Sequence, residues 1–570
     1  MAGLDRVGID GCDALREALT NCTDPLTAIE EFQLTNGILL PSLQPALPFL
    51  DLHGVRRMEF HLSVVEELRE KLLSKISELA ASNDESKLQK LNDLLEKSFP
   101  VITNTELRPI VMGLMTQIPD IKEEYLNLIL EEKELYEESS VEVKRQIWQD
   151  NQSLFGEEVS PLLSQYITEK EDLLLNHVFA AQSFFTISPK ARRQSEVVQK
   201  LVVMVGKNLK LYEMLLNFLR TLFLRTRNAH YCTLRAELLM ALHDMDIHEI
   251  CSIDPCHKFT WCLDACIREK YIDSKRAREL QGFLDCIKKG QEPVLGHLSM
   301  ILADPYAMNT ICQSLMKAIQ HCLNNEQMPR DNNDLLLFLR MLALGLNAWD
   351  LIDSQVFKEP KLDSHLIIRF IPCIMSFMVD DLITGIIAKM PDEPVPLLTN
   401  VSDFYKLYIR MNPLASIIAM CHTLHAAKVR SKMALCRVLQ SMLRCENDRA
   451  LDDVFLHTVV GYIIGMVDEF SSEDFCICIF DDFFMPSISK ENVMRHLLRL
   501  LYHVYHKMPR KRLENLMTII EPGSEHGEGV HTVYKAVQNK IATFQPSPEP
   551  SPEHVDSPLM SVPAPTPRPY

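Results

Sequence analysis

The amino-acid sequence predicts an all-α fold, a HEAT-like helical-repeat solenoid with a disordered Pro/Ser-rich C-terminal tail. Three observations predict it. Glycine is scarce, 18 of 570 residues, which is about 3% against about 7% in average usage. Apolar residues recur at helical spacing along most of the chain. No series of segments alternates apolar and polar residues as half-buried strands must.

The stripes come in order. Val65, Leu68, Leu72, Ile76 and Leu79 form the first, and Tyr212, Leu215, Leu216, Leu219, Leu222 and Phe223 the second. Leu280, Phe283, Leu284 and Ile287 follow i, i+3, i+4, i+7, and Leu497, Leu498, Leu501, Val504 and Tyr505 form a fourth near the end. Each makes a helix with one face to be buried against a neighbour. Start signals agree. Asp254-Pro255 reads as an N-cap followed by proline at the first helical position, and Asp273 or Ser274 caps the helix carrying Ala277 and Leu280. Breaks fall at Asn324 to Asp334, Pro391 to Pro396 and Glu521 to Gly529. Amphipathic helices joined by short breaks suggest stacked helical pairs, although no repeat fixes a period of about 40 residues.

The chain is long and apolar enough, at 47% hydrophobic content, for several lobes or a repeat array. The expected division is an N-terminal helical lobe over 1–190, a central and C-terminal repeat region over 191–544, and the tail over 545–570. Met1 to Asp5 shows neither a basic flank nor an apolar core, so no signal peptide is expected. The apolar runs Leu366 to Val379 and Leu335 to Trp349 contain Arg369 and Arg340 and fall short of a membrane span. The cysteines are scattered through apolar patterns and are expected as free buried thiols. In the tail, Ser547, Ser551, Ser557 and Thr566 each precede proline and are candidate sites for proline-directed phosphorylation.

No catalytic motif is legible. Gly206-Lys207 lacks the glycine five residues earlier that a phosphate loop needs, and neither Gly-x-Ser-x-Gly nor His-Glu-x-x-His occurs. Acidic pairs such as Glu131-Glu132 and Asp481-Asp482 read as solvated surface. The sharpest metal candidate is Cys251, Cys256, His257, Cys262 and Cys266, with His243 and His248 upstream. Its spacing matches no standard zinc finger, and Cys256 would point away from Cys262, so no metal or other cofactor is expected.

The net charge of −18 opposes attraction of the whole molecule to nucleic acid or an anionic membrane. Any RNA contact must be local. The candidate basic face comprises Lys207, Lys210, Arg220, Arg225, Arg227 and Arg235, then Lys275, Arg276, Arg278, Lys288 and Lys289. Without interleaved exposed aromatics it would grip phosphates and not read bases. Arg510-Lys511-Arg512 is a nuclear-import candidate.

Long irregular strings go further. Val141-Glu142-Val143-Lys144-Arg145-Gln146-Ile147-Trp148-Gln149-Asp150-Asn151 resembles the negative elongation factor B family, as do Leu154 to Gly156 and Val159 to Pro161. The likeness is densest from Arg192 to Asp285, including Phe218 to Arg227 and Asp254 to Cys262. It continues in Ser354 to Pro360, Asn21 to Gly54 and Val454 to Glu514, but does not cover Ala80 to Leu135, Leu382 to Gln440 or the tail. The resemblance implies a non-enzymatic solenoid scaffold of a nuclear four-subunit complex. Its N-terminal part would face the C (or D) subunit and its C-terminal part would hold the E subunit, with the A subunit elsewhere in the complex. The complex binds paused RNA polymerase II together with the DRB sensitivity-inducing factor and restrains elongation, with basic surfaces assisting contact to nascent RNA. The contrasting expectation from composition alone is a general HEAT-type adaptor outside transcription.

Overall fold

The computed structural model describes residues 20–36, 57–175, 184–287, 292–390, 400–442, 452–524 and 526–544, with the single positions 17 and 394. Lys288, Lys289, most of the break at Pro391 to Pro396, the tail with its four candidate phosphorylation sites, Met1 to Asp5, and part of the run Asn21 to Gly54 lie outside them. Every regular element among the described residues is helical. Among the described residues, no helix is long and apolar enough to cross a membrane.

The chain forms two compact units. The first comprises Met1–Glu158 with Val203–Met214, and the second Val159–Val202 with Leu215–Tyr570. In the first, Arg57–Ala81, Lys87–Ser98 and Arg108–Gln117 pack on one another. Their core holds Ile76, Leu91, Leu95, Val111, Leu114 and Met115. The first apolar stripe is only partly spent on this core, because Leu72 remains exposed.

The second unit grows by helices packing on near neighbours in sequence, as a helical repeat does. His230–Asp244 packs on His257–Glu269 and Glu292–Leu302, and Pro305–Asn324 on Asn333–Leu346 and Pro413–Lys428. Pro413–Lys428 packs on Lys432–Met442 and Asp453–Ile464, then Asp453–Ile464 on Glu491–Val504, and Glu491–Val504 on Glu528–Thr543. The other stripes supply this burial: Leu215, Leu219 and Phe223, Leu280 and Leu284, and Leu497, Leu498, Leu501 and Val504 are buried.

Helix starts follow side-chain capping. Asp304 accepts the backbone N–H groups of Tyr306 and Ala307, and Asn412 those of Leu414 and Ala415, each followed by proline at the first helical position. Asp273 accepts the N–H of Arg276 at the start of Ser274–Ile287. Asp254-Pro255 departs from the same rule. The helix there begins at His257. One carboxylate oxygen of Asp254 accepts the Cys256 N–H at 2.8 Å and the other takes Arg235 at 2.5 Å, so this carboxylate closes a turn and neutralises an internal cation instead of capping.

Gly345 marks the tightest backbone approach in the second unit. A Cβ there would lie 2.6 Å from the Leu302 carbonyl oxygen. Backbone cannot yield as a side-chain tip does, so Gly345→Val is expected to destabilise by about 1–3 kcal/mol. At Gly282, where a Cβ would meet nothing within 4 Å, Gly282→Ala is expected to gain up to about 1 kcal/mol from helix propensity. Denaturant midpoints of the two variants moving the same way would contradict this.

Candidate functional site

The structure sorts the candidate basic face into three kinds of cation. Lys207, Arg225 and Lys275 are exposed and make no ion pair among the described residues. Others are engaged locally. Lys210 pairs with Asp150 at 2.8 Å, Arg220 donates to Asn217 Oδ1 at 2.8 Å, Arg276 pairs with Glu279 at 3.2 Å, and Arg278 donates to the Ser274 carbonyl at 3.1 Å. Arg227 lies 4.3 Å over the Trp349 ring, whose indole N–H donates to the Leu224 carbonyl. Lys207 and Lys210 belong to the first unit and the remaining described members to the second.

Arg235 does not belong on a surface. It is 2% exposed and its guanidinium meets the equally buried Asp254. The reason is the helix itself: His230–Asp244 is packed on all sides, so its charged residues turn to internal partners. Glu237, on the same helix, accepts Tyr166 Oη–H at 2.7 Å, Lys170 Nζ at 3.2 Å and Arg192 Nη1 at 3.1 Å. Burial raises the Glu237 pKa, but Lys170 and Arg192 more than offset this and hold it below its ordinary value.

The Cys/His stretch is divided. Cys256, Cys262 and Cys266 are buried in the helical core. His243, Cys251 and His257 bring their ligand atoms within 4.8 Å of one another. His243 Nδ1 and His257 Nε2 hydrogen-bond at 3.0 Å. Burial and the nearby Asp254 push the Cys251 thiol up to about 11, so it stays protonated at neutral pH. The two imidazoles bond one another, and the protonated thiol lies beside them.

An exposed apolar surface is the largest feature that sequence reasoning missed. The helix Ile371–Ile387 buries Ile371, Ile374, Phe377 and Met378 on one side. On another it exposes Val379, Leu382, Ile383 and Ile386, with Met390 beyond its end, at the i, i+3, i+4, i+7 spacing of a continuous stripe. Leu382 is 52% exposed and Ile386 55%. The helix Asp403–Met411 buries Tyr405 and Ile409 and exposes Phe404, Leu407 and Met411. Contiguous exposed apolar stripes of this kind mark interaction sites.

In the first unit, Val141–Trp148 works as a clasp. Arg145 Nε donates to the carbonyls of Val203 and Met204 at 3.1 and 3.2 Å, satisfying the last turn of a helix whose carbonyls have no internal partner. Gln146 accepts the Ile121 N–H and donates to the Ile118 carbonyl, both at 2.9 Å. Trp148 is buried and its indole N–H donates to Tyr136 Oη at 2.7 Å. The irregular string thus has a separate contact for each of Arg145, Gln146 and Trp148.

Residues 105–444 match the family model described as Cofactor of BRCA1 (COBRA1). Negative elongation factor B of Drosophila melanogaster is 54% identical over 99% of this chain and 97% of its own length. The Homo sapiens and Mus musculus proteins of that name are each 53% identical over 99% of this chain. The chain belongs to the negative elongation factor B family. Its likeness to negative elongation factor B runs nearly end to end, and the family match takes in Leu382 to Gln440, which the irregular strings do not reach. The exposed helix Ile371–Ile387 and most of the helix-capping machinery therefore lie inside the family match. Two signals could have exposed the missed features. Apolar residues that wrap beyond one face of a helix, as Val379, Leu382, Ile383 and Ile386 do beyond Ile371, Ile374 and Phe377, demand a second covering surface, and an acid among apolar residues on a helix packed all round, as at Glu237, demands an internal cation.

Proposed function

We propose that this member of the negative elongation factor B family is a non-enzymatic scaffold of the negative elongation factor complex. It acts in the nucleus, bridges the C/D and E subunits, and accompanies the A subunit. In that role it supports promoter-proximal pausing of RNA polymerase II together with the DRB sensitivity-inducing factor. The single observation carrying the scaffold reading is the exposed stripe Leu382, Ile383, Ile386 and Met390, which continues a helix that buries Ile371, Ile374, Phe377 and Met378. Its geometry suits capture of an apolar helix face. Within this reading the N-terminal lobe, 1–190, faces the C/D subunit, and the repeat region 191–544 holds the E subunit towards its C-terminal part. Co-purification of the interface variants described in the Discussion tests the assignment.

The basic face enters as a helper of RNA binding, carried by Arg225 and Lys275 in the second unit and Lys207 in the first. Arg235 is excluded by burial, and Arg227 is held by Trp349. Replacing Arg225 and Lys275 by glutamate is expected to weaken RNA binding by the assembled complex and leave assembly intact. For single-stranded RNA, the dependence of log affinity on log salt should become shallower by about 0.7 for each phosphate no longer neutralised. A salt titration with unchanged affinity and slope would remove these residues from the RNA surface.

A further inference from the structure

A cavity of about 590 Å³ opens in the second unit where five helices and the segment 185–189 meet. Its cationic lining is unusual for a chain of net charge −18. Arg268 and Lys270 come from the C-terminal end of His257–Glu269, Lys428 from the end of Pro413–Lys428, and Arg499 and His503 from Glu491–Val504. No aspartate or glutamate lines it among the described residues. Arg268, Lys270 and Lys428 are exposed and make no ion pair with a described residue.

Arg499 is the informative member. It is 3% exposed. Its Nη1 lies 2.8 Å from His457 Nδ1 and donates to the His457 carbonyl at 3.2 Å, while its Nε–H has no hydrogen-bond partner among the described residues. Burial pushes its pKa down to about 10, and no neighbouring carboxylate counters that. The other buried arginines described in this unit are compensated: Arg192 by Glu237, Arg193 by Asp244 and Asp264, and Arg235 by Asp254. An arginine buried without an anion is costly unless an anion arrives from outside. On the helix opposite, Asn309, Thr310 and Gln313 add neutral hydrogen-bonding groups to the lining.

We propose that this cavity is a binding site for a small, multiply phosphorylated solute of the size and charge of a polyphosphorylated cyclitol. Arg268, Lys270 and Lys428 form a cationic rim, and Arg499 and His503 form the floor. Guanidinium and ammonium groups converging from three helices suit phosphates spread around a compact ring. The volume lies in the range of small-molecule sites. It holds one compact solute; a run of nucleotides would need an extended groove with stacking faces.

The test uses the purified full-length chain, inositol hexakisphosphate as probe and inorganic phosphate as the comparison. Calorimetric titration is expected to give one site for inositol hexakisphosphate, with a rise in melting temperature as the ligand saturates. Inorganic phosphate at the same concentration should give neither. Lys270→Glu and Lys428→Glu, both on exposed side chains, should each weaken binding by about tenfold or more, the scale of a lost charge-assisted hydrogen bond. Gly461 lines the cavity, and a Cβ there would meet nothing within 4 Å. Gly461→Leu should therefore weaken binding by filling space, with no change of charge. Absence of binding by the unaltered chain would overturn the proposal. So would binding that ignores all three substitutions, since the site would then lie elsewhere. Stronger competition from single-stranded RNA or from a tail peptide phosphorylated at Ser547 and Ser551 would replace the small solute with that ligand.

Discussion

A chain carrying Leu382→Glu and Ile386→Glu is expected to fold and melt as the unaltered chain does, yet to lose its partner subunit. Both side chains are about half exposed on the helix Ile371–Ile387. Exposed substitutions away from core and caps usually change stability by no more than about 0.5 kcal/mol. Under a partner the balance differs. Completing the burial of each side chain contributes about 1 kcal/mol. Each glutamate trapped there unpaired costs several kcal/mol more. The sum corresponds to at least about a hundredfold loss of affinity. Co-purification measured beside a thermal melt reads both arms. Full retention of every partner with an unchanged melt would show that this stripe is not an interface.

Glu237→Gln is expected to have the largest effect on the chain by itself. The substitution keeps the volume but leaves Lys170 and Arg192 buried without their shared carboxylate. Removing one partner from a buried ion pair costs about 3–5 kcal/mol. By contrast Glu142→Gln, at a half-exposed carboxylate 3.9 Å from Arg145, should change stability by no more than about 1 kcal/mol. The Glu237 carboxylate also predicts a pH dependence. Its folded pKa lies below its ordinary value of 4.5. Its contribution is therefore fully present above pH 4.5 and is lost as the pH falls through the lower folded value. Denaturant midpoints of the unaltered chain and of Glu237→Gln should accordingly converge on acidification below pH 4.5. A constant gap down to the acid limit would contradict the role assigned to Glu237.

Much of the architecture was legible because helical periodicity and capping are local. The stripe at Leu280, Phe283 and Leu284 and the cap at Asp273 needed only their own neighbours in sequence. The displaced helix start at Asp254-Pro255 was illegible for a physical reason: the Asp254 carboxylate is claimed by Arg235, 19 residues away. The basic face failed at the same residue, because charge on a sequence does not reveal whether a helix is packed all round. Arg499 was hidden within the stripe Leu497, Leu498 and Leu501, where a cation reads as the solvent face. The structure instead buries it beside a cavity formed by helices distant in sequence. The outward stripe at Leu382 and Ile386 was hard to read for a related reason. Periodicity identifies apolar faces, but only packing shows which of them the chain leaves uncovered.

Affinity capture of the full-length chain from nuclear extract, with mass spectrometry of what it retains, tests the scaffold reading most directly. Recovery of the A, C/D and E subunits of the negative elongation factor complex in stable proportion is expected, with at least one lost from the Leu382→Glu, Ile386→Glu chain. A folded preparation of the unaltered chain that retains none of them would contradict it.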